Sequence, residues 1–459
     1  MNPSRWVVPI LIAVLAAALA PAAETDDVDP VASFLDSGAE DVWAHRWLEG
    51  LCDGIGPRLS GSDAYDAAAD YAATTFRDAG FDRVWTEPVT VPHWVRGDER
   101  AALTAPVEQE LTILGLGGSV ATPPEGIEAE VLAVTSFDEL EARSAEAEGR
   151  IVVFAVPWEG YGRTVQYRTR GAVEAARHGA LAALVRSTTG TSLATPHTGV
   201  MRSEEGVPRI PAASLTVEDA ERILRLSRRG VPVRVRLEMS AETLPDRVQQ
   251  TVLAEVRGRE LPDEIVAVGC HLDSWDVGTG AHDDGAGCAI MAGAARLMLA
   301  DGLRPRRTVR VVLYASEEWG GHAGEAYLEA HRDELDRHVA ALESDSGCFA
   351  PDGFSVRAGD HVLGRLARMA THLAPVGASR VRPGWAGVDI GPIVEAGVPG
   401  IGHRTENERY FDYHHSPADT FDKIDPADLA ANVAAVAGLV WQIAEEGLPQ
   451  AEDAGGTNR

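Results

Sequence analysis

Two apolar runs past the middle of the chain, EIVAVGC (264–270) and TVRVVLYAS (308–316), lack the polar alternation of a strand with one wet face. Strands of that kind are buried on both sides, as they are inside an α/β sheet covered by helices. A glycine-opened helical pattern, GAGCAIMAGAARLML (285–299), lies between them, and TVLAEV (251–256) precedes them. Near the end, Asp425-Pro426 opens a helix with Leu429, Val433, Val436, Val440 and Ile443 on one face and Gly447 as its stop. The fold class this predicts is α/β, with a mixed, largely parallel sheet flanked by helices.

Upstream, residues 39–79 read as helix, interrupted at Gly54-Ile55-Gly56-Pro57 and restarted with Ser62 as N-cap. DRVWTEPVTVPHW then alternates as a strand does, and the glycines and prolines of 114–126 mark a junction. From 127 to 245 the character changes. Short apolar strands (EVLAV, RIVVFAV, ALAALVRS) alternate with two helical segments, the second opened by Thr216 in a capping-box pattern. No cluster of His, Asp and Glu with metal-ligand spacing occurs there. The expected organisation is a discontinuous main domain, 23–126 and 246–448, interrupted by a small α+β domain at 127–245.

The first residues, MNPSRWVVPILIAVLAAALAPAA, carry a basic Arg5, an apolar core and an Ala-Pro-Ala cleavage pattern, so 1–22 is expected to be a signal peptide and the protein secreted or periplasmic. No second membrane segment follows, and residues 449–459 are expected to form a disordered tail. A formal charge of −29 argues against nucleic acid and anionic membrane surfaces as partners. Cys52, Cys270, Cys288 and Cys348 form no CxxC and are too scattered for a disulfide framework, leaving bridges and buried thiols both open.

The polar chemistry gathers where apolar runs end. EIVAVGC leads into His271-Leu272-Asp273 and then GAHDDGAG with Asp283; VRVVLYAS leads into Glu317-Glu318; ALESDSG brings Asp345; YFDYHHSPADT brings His414 and His415. Ligands of open α/β sheets collect outside the carboxyl ends of strands. Taken singly, each cluster reads as a turn, a helix start or a hydrogen-bonded pair. Four of them at comparable strand ends point instead to a shared cation, and mixed imidazole and carboxylate donors suit Zn²⁺. Strand geometry puts Asp273 on the same side as His271, as an outer partner orienting that ring.

HLDSWDVGTGAHDDGAG, SEEWG, ESDSG and YFDYHHSPADT together resemble the di-zinc exopeptidases of bacterial leucyl aminopeptidases and glutamate carboxypeptidases, and within them the carboxypeptidase Q branch. LCDGIGPRLSGS resembles that branch's start, and RIVVFAV…TPHTG…IPAASLT its inserted protease-associated domain. The resemblance implies two Zn²⁺ ions bridged by Asp283, one also held by His271 and Asp345, the other by Glu318 and His415. It implies Glu317 as general base, a cis peptide between Asp283 and Asp284, and a homodimer. His414 falls where some relatives carry a tyrosine that hydrogen-bonds the transition state, a departure that leaves the donor's identity open.

There is no HExxH helix and no GxSxG elbow. His331 and His338 in HRDELDRH read as a charged surface helix, and Trp275 and Trp319 as either pocket lining or packing. The expected function is an exported zinc exopeptidase acting on short peptides, free dipeptides foremost. The alternatives are an aminopeptidase on longer peptides, another metal-dependent amide hydrolase or cyclase on the same scaffold, and a binding protein without metal.

Overall fold

The computed structural model describes residues 29–449; the expected signal peptide lies outside those residues, as does the expected tail beyond 449. Two eight-stranded sheets organise them. Across the first, the strand order is Arg83–Val95, Glu242–Val256, Arg307–Tyr314, Leu261–His271, His338–Glu343, Gly400–Thr405, Pro351–Arg357 and Arg380–Pro383. Its centre is parallel. Leu261–His271 runs parallel to both of its neighbours, and His338–Glu343 to Gly400–Thr405, while antiparallel pairs flank them. The predicted apolar runs are these central strands, and their residues from Ile265 to His271 and from Thr308 to Tyr314 are all buried.

Helices seal the faces. Ala286–Ala300 is buried along most of its length, and Pro426–Glu446 is buried nearly all round from Leu429 to Ala444. The five apolar residues predicted to share one face of the latter are all in the core. That helix is long and apolar enough to cross a membrane, yet it is packed inside the protein. Its first turn is capped as predicted, with Asp425 Oδ1 accepting from the N–H groups of Ala427 (2.8 Å) and Asp428 (3.4 Å). Ser62 and Thr216 likewise accept from Tyr65 and Asp219 at their helix starts.

The second sheet runs Gln109–Leu111, Glu99–Ala105, Arg234–Met239, Ile127–Val134, Ile151–Phe154, Ala182–Arg186, Ala212–Leu215 and Ile113–Gly115. Three of its strands lie before residue 127, ahead of the expected boundary. The glycine- and proline-rich stretch 116–126 is therefore a crossing inside this sheet. It carries the chain from the edge strand Ile113–Gly115 back to Ile127–Val134 in the interior, and consecutive strands so far apart need a long connection. Strand Glu242–Val256 returns the chain to the first sheet.

HRDELDRH is only in part the charged surface helix expected, because its helical turn is mostly exposed while His338 is buried and His331 half-buried. Its short 3₁₀ turn Arg332–Arg337 delivers His338 into the core, where Nε2 meets Tyr327 Oη at 2.9 Å, and His331 sits between Glu87 and Glu334. These groups surround Arg310, a buried cation inside a central strand, which also pairs with Glu255 at 2.8 Å. A charge out of water needs such partners.

Truncating Leu439, fully buried in the long C-terminal helix, to Ala is expected to lower the unfolding free energy by about 2–5 kcal/mol through the lost burial and the cavity left behind. Asp425→Ala, which removes only a cap, should cost about 1 kcal/mol. Urea denaturation of the two variants checks the ranking.

Candidate metal centre

The register of the parallel strands brings the polar clusters together. His271 is the last residue of its strand and pairs with Tyr314, three residues before Glu317; Gly269 pairs with Glu343, two residues before Asp345. His415 follows the next strand along, Gly400–Thr405, through the short helix Tyr410–Tyr413. Asp283 comes from the connection between His271 and the helix Ala286–Ala300. Four adjacent strand ends and one crossover thus meet at one edge of the sheet.

At the centre is the Asp283 carboxylate. Its Oδ1 lies 3.3 Å from His271 Nε2, and its Oδ2 lies 3.1 Å from His415 Nε2. His415 Nε2 is also 3.0 Å from Glu318 Oε2, and His271 Nε2 is 3.8 Å from Asp345 Oδ1. Donor atoms of His271, Asp283 and Asp345 fall within 4.8 Å of one another, as do those of Asp283, His414 and His415. His414 stacks on His415 with ring centroids 3.6 Å apart, and its Nε2 stands 3.7 Å from Asp283 Oδ2. The Asp283–Asp284 peptide is cis, as the resemblance implied.

Asp273 is present but acts differently from the prediction. His271 Nδ1 donates to its backbone carbonyl at 3.0 Å, whereas the nearer carboxylate oxygen is 3.6 Å away. The strand ends at His271 and the chain turns, so the two-residue period no longer applies at 273. The Asp273 carboxylate instead accepts from Ser60 Oγ (2.8 Å) and from the backbone N–H groups of Glu317 (3.1 Å) and Glu318 (3.3 Å). It fixes the turn that carries both glutamates, where Ser316 holds a left-handed backbone (φ +67°) that is unfavourable for a residue with a Cβ. A carbonyl can only accept, so Nδ1 of His271 bears the ring proton and Nε2 keeps its lone pair for the site.

Other supports were not singled out in the sequence. Buried Arg58 donates to the carbonyls of Leu272 (2.5 Å), Thr279 (2.6 Å) and Gly280 (3.0 Å), stitching the loop that leads to Asp283. Asp419 accepts from the N–H groups of His282 and Asp283, and Asp284 from those of His271 and Gly287. Gly287 has to be glycine, because a Cβ there would sit 2.2 Å from Asp284 Oδ1. Trp275 is packed under the site, against His415 and Trp319 and close to Gly117. All four cysteines are buried and unbridged.

So many carboxyl groups in one buried place distort each other's ionisation. Burial, reinforced by Asp345, Glu318 and Asp273, raises Glu317 well above the usual carboxylate range, and burial likewise raises Asp284 and Glu318. Burial opposes charge on Asp283 too, but the imidazoles of His271 and His415 outweigh it and hold Asp283 well below that range. His271 Nε2, Asp283 Oδ2 and Glu318 Oε1 are buried with no hydrogen-bonding partner. Orphaned atoms of this kind are rare in folded proteins. Here they belong to side chains grouped around the Asp283 carboxylate, a donor set that fits divalent cations.

Asp273→Asn keeps the shape but turns a donor toward one of the N–H groups the carboxylate now accepts from. It is expected to lower unfolding free energy by about 1–3 kcal/mol, the cost of a buried unsatisfied group, measured by denaturant titration.

Comparison with known proteins places the chain. The model of "Peptidase family M28" matches residues 251–440. Carboxypeptidase Q of Homo sapiens is 44% identical over 402 residues, 87% of this chain and 85% of that protein. The crystal structure of a peptidase M28 precursor from Shewanella amazonensis SB2B superposes with a TM-score of 0.88 at 38% identity, covering 92% of this chain and 98% of that one. A zinc aminopeptidase from Bacillus subtilis shares the fold, with a TM-score of 0.67 at 20% identity over 88% of this chain and 95% of that one. By its site, its fold and these likenesses, the chain belongs to the metallopeptidases of family M28, in the carboxypeptidase Q group.

Proposed function

We propose that the protein is an exported di-zinc exopeptidase that hydrolyses short peptides, free dipeptides foremost. The observation that carries this reading is the division of Asp283, with one oxygen toward His271 and the other toward His415. A carboxylate so flanked suits a bridge between two cations. His271 and Asp345 would complete one site, Glu318 and His415 the other. Three ligand carboxylates then offset most of the four positive charges, which removes the repulsion among the buried acids. The B. subtilis relative's zinc supports the choice of metal, and the human relative's name supports exopeptidase action on peptides.

When bound, the two ions supply Lewis acidity toward a scissile carbonyl and toward a water. The chain's own residues do the rest. Glu317 takes the water's proton and delivers it to the departing amine, its backbone pinned by Asp273. Burial first, then the neighbouring carboxylates, raises Glu317, and positive charge held by the five ligands would favour the ionised form a base requires. Burial and the neighbouring His415 hold His414 well below the ordinary imidazole range. It is therefore neutral near pH 7, able to offer one N–H to a developing oxyanion without adding charge. In this reading the second sheet is the protease-associated insertion, and the segment 1–22 directs export.

Glu317→Gln should bind both ions yet lose about 10²–10⁴ in turnover, as expected for removal of a general base. Elemental analysis alongside steady-state kinetics checks it, and wild-type-like turnover would reject the role. Chelation should lower the wild-type melting temperature, since free zinc at about 1,000 times its Kd stabilises by about 4 kcal/mol. Asp283→Ala should show no such response. A mass-spectrometric product scan tests the substrate: the zinc-loaded protein is expected to split free dipeptides and to spare both amino-blocked and carboxyl-amidated peptides. Cleavage of either blocked class would overturn the dipeptidase reading.

A further inference from the structure

The second sheet's unit touches the centre through the helix Tyr161–Arg177 and the segment 196–199. His415, a proposed ligand, has φ +58°, a left-handed conformation unfavourable for a residue with a Cβ. Contacts from outside its own loop hold it there. Its carbonyl accepts from Thr198 N at 2.8 Å, and the carbonyl of His414 lies 2.7 Å from His197 Nδ1. The ring is held from the same side. His415 Nδ1 is 3.3 Å from the Thr198 carbonyl and 3.1 Å from Arg168 Nη1, and that Nη1 lies 3.2 Å from the same carbonyl.

Arginine can only donate, and a carbonyl oxygen has two lone pairs. Arg168 Nη1 donates to Thr198 O, and for His415 to ligate through Nε2 its proton must sit on Nδ1, so that Nδ1–H converges on the same oxygen. In that arrangement His415 Nε2 faces Asp283 Oδ2 at 3.1 Å and Glu318 Oε2 at 3.0 Å. Arg168 is itself buried, with Nη2 3.1 Å from Tyr161 Oη and Nε without a partner. The backbone makes room for it: Gly199 (φ +136°) lies beside the guanidinium, and a Cβ at that position would stand 2.3 Å from Cζ.

We infer that the second sheet's unit is a working part of the metal centre: Thr198 and Arg168 are positioning residues that set the direction of the His415 ring. This rests on the reading of His415 as a ligand. It gives the two ion sites different dependences. His271 is oriented by Asp273 from within the first sheet, so the His271/Asp345 ion needs nothing from the insertion, whereas the Glu318/His415 ion does. A simple staple between the two sheets would not distinguish the sites.

The test is zinc binding by calorimetry and chelator competition on the full-length protein and two variants, Arg168→Met and Gly199→Ala. Melting curves of the metal-free proteins verify folding. Wild type is expected to bind two equivalents. Each variant should keep one at wild-type affinity and bind the other 10–100-fold more weakly, the usual effect of losing a ligand's outer partner. Folded variants that bind both ions as wild type does, or that weaken both in step, would overturn the inference. If Arg168→Met does not fold, Gly199→Ala decides alone. A wild type that binds no zinc would instead refute the di-zinc reading itself, a failure visible before any variant is compared.

Discussion

The structure depends on how a cluster of carboxylates can be buried at one edge of a sheet. Asp283 is the pivot, because its two oxygens face two different imidazoles. Protonation relieves some of the crowding, as the raised Glu317, Glu318 and Asp284 indicate. It leaves His271 Nε2, Asp283 Oδ2 and Glu318 Oε1 unsatisfied all the same. Cations held as proposed would satisfy all of these atoms at once. The cluster that is unfavourable as a set of acids is favourable as a set of ligands.

The scaffold accounts for the geometry. Three parallel pairs put four strand ends side by side, and three of them deliver their groups within a few residues of the last ladder bond, while His415 follows its strand through the short helix Tyr410–Tyr413. Short reach from a rigid strand keeps positional error small. Around this edge the backbone is held by charged groups that do not face the reacting atoms. Arg58 gathers three carbonyls, Asp273 fixes the Glu317-Glu318 turn, and Asp419 fixes the approach to Asp283. In the proposed reading the ligands are oriented before any ion arrives.

Much of this was legible in the sequence because burial leaves a pattern. Unalternated apolar runs identified the central strands, the groups just past them are those that cluster around Asp283, and Ser62, Thr216 and Asp425 marked helix starts. Other features left no local signal. The strand Glu99–Ala105 is half-exposed and mixed in polarity, so its membership of the second sheet became visible only in the pairing. The Asp273 carbonyl could not be read, because every residue has one. Arg168 and Thr198 act on a histidine more than two hundred positions away, and one arginine in an arginine-rich chain does not stand out. His338 looked exposed among charges, and most of those charges are exposed, but Glu334 and His331 turn inward to Arg310 and His338 is buried behind them.

Anomalous diffraction at the zinc absorption edge, from crystals of the zinc-loaded protein, tests the central claim most directly. The account predicts two peaks that share Asp283, one touching His271 and Asp345 and the other Glu318 and His415. A map with no peak at this edge of the sheet, or with peaks that leave Asp283 uncoordinated, would contradict it.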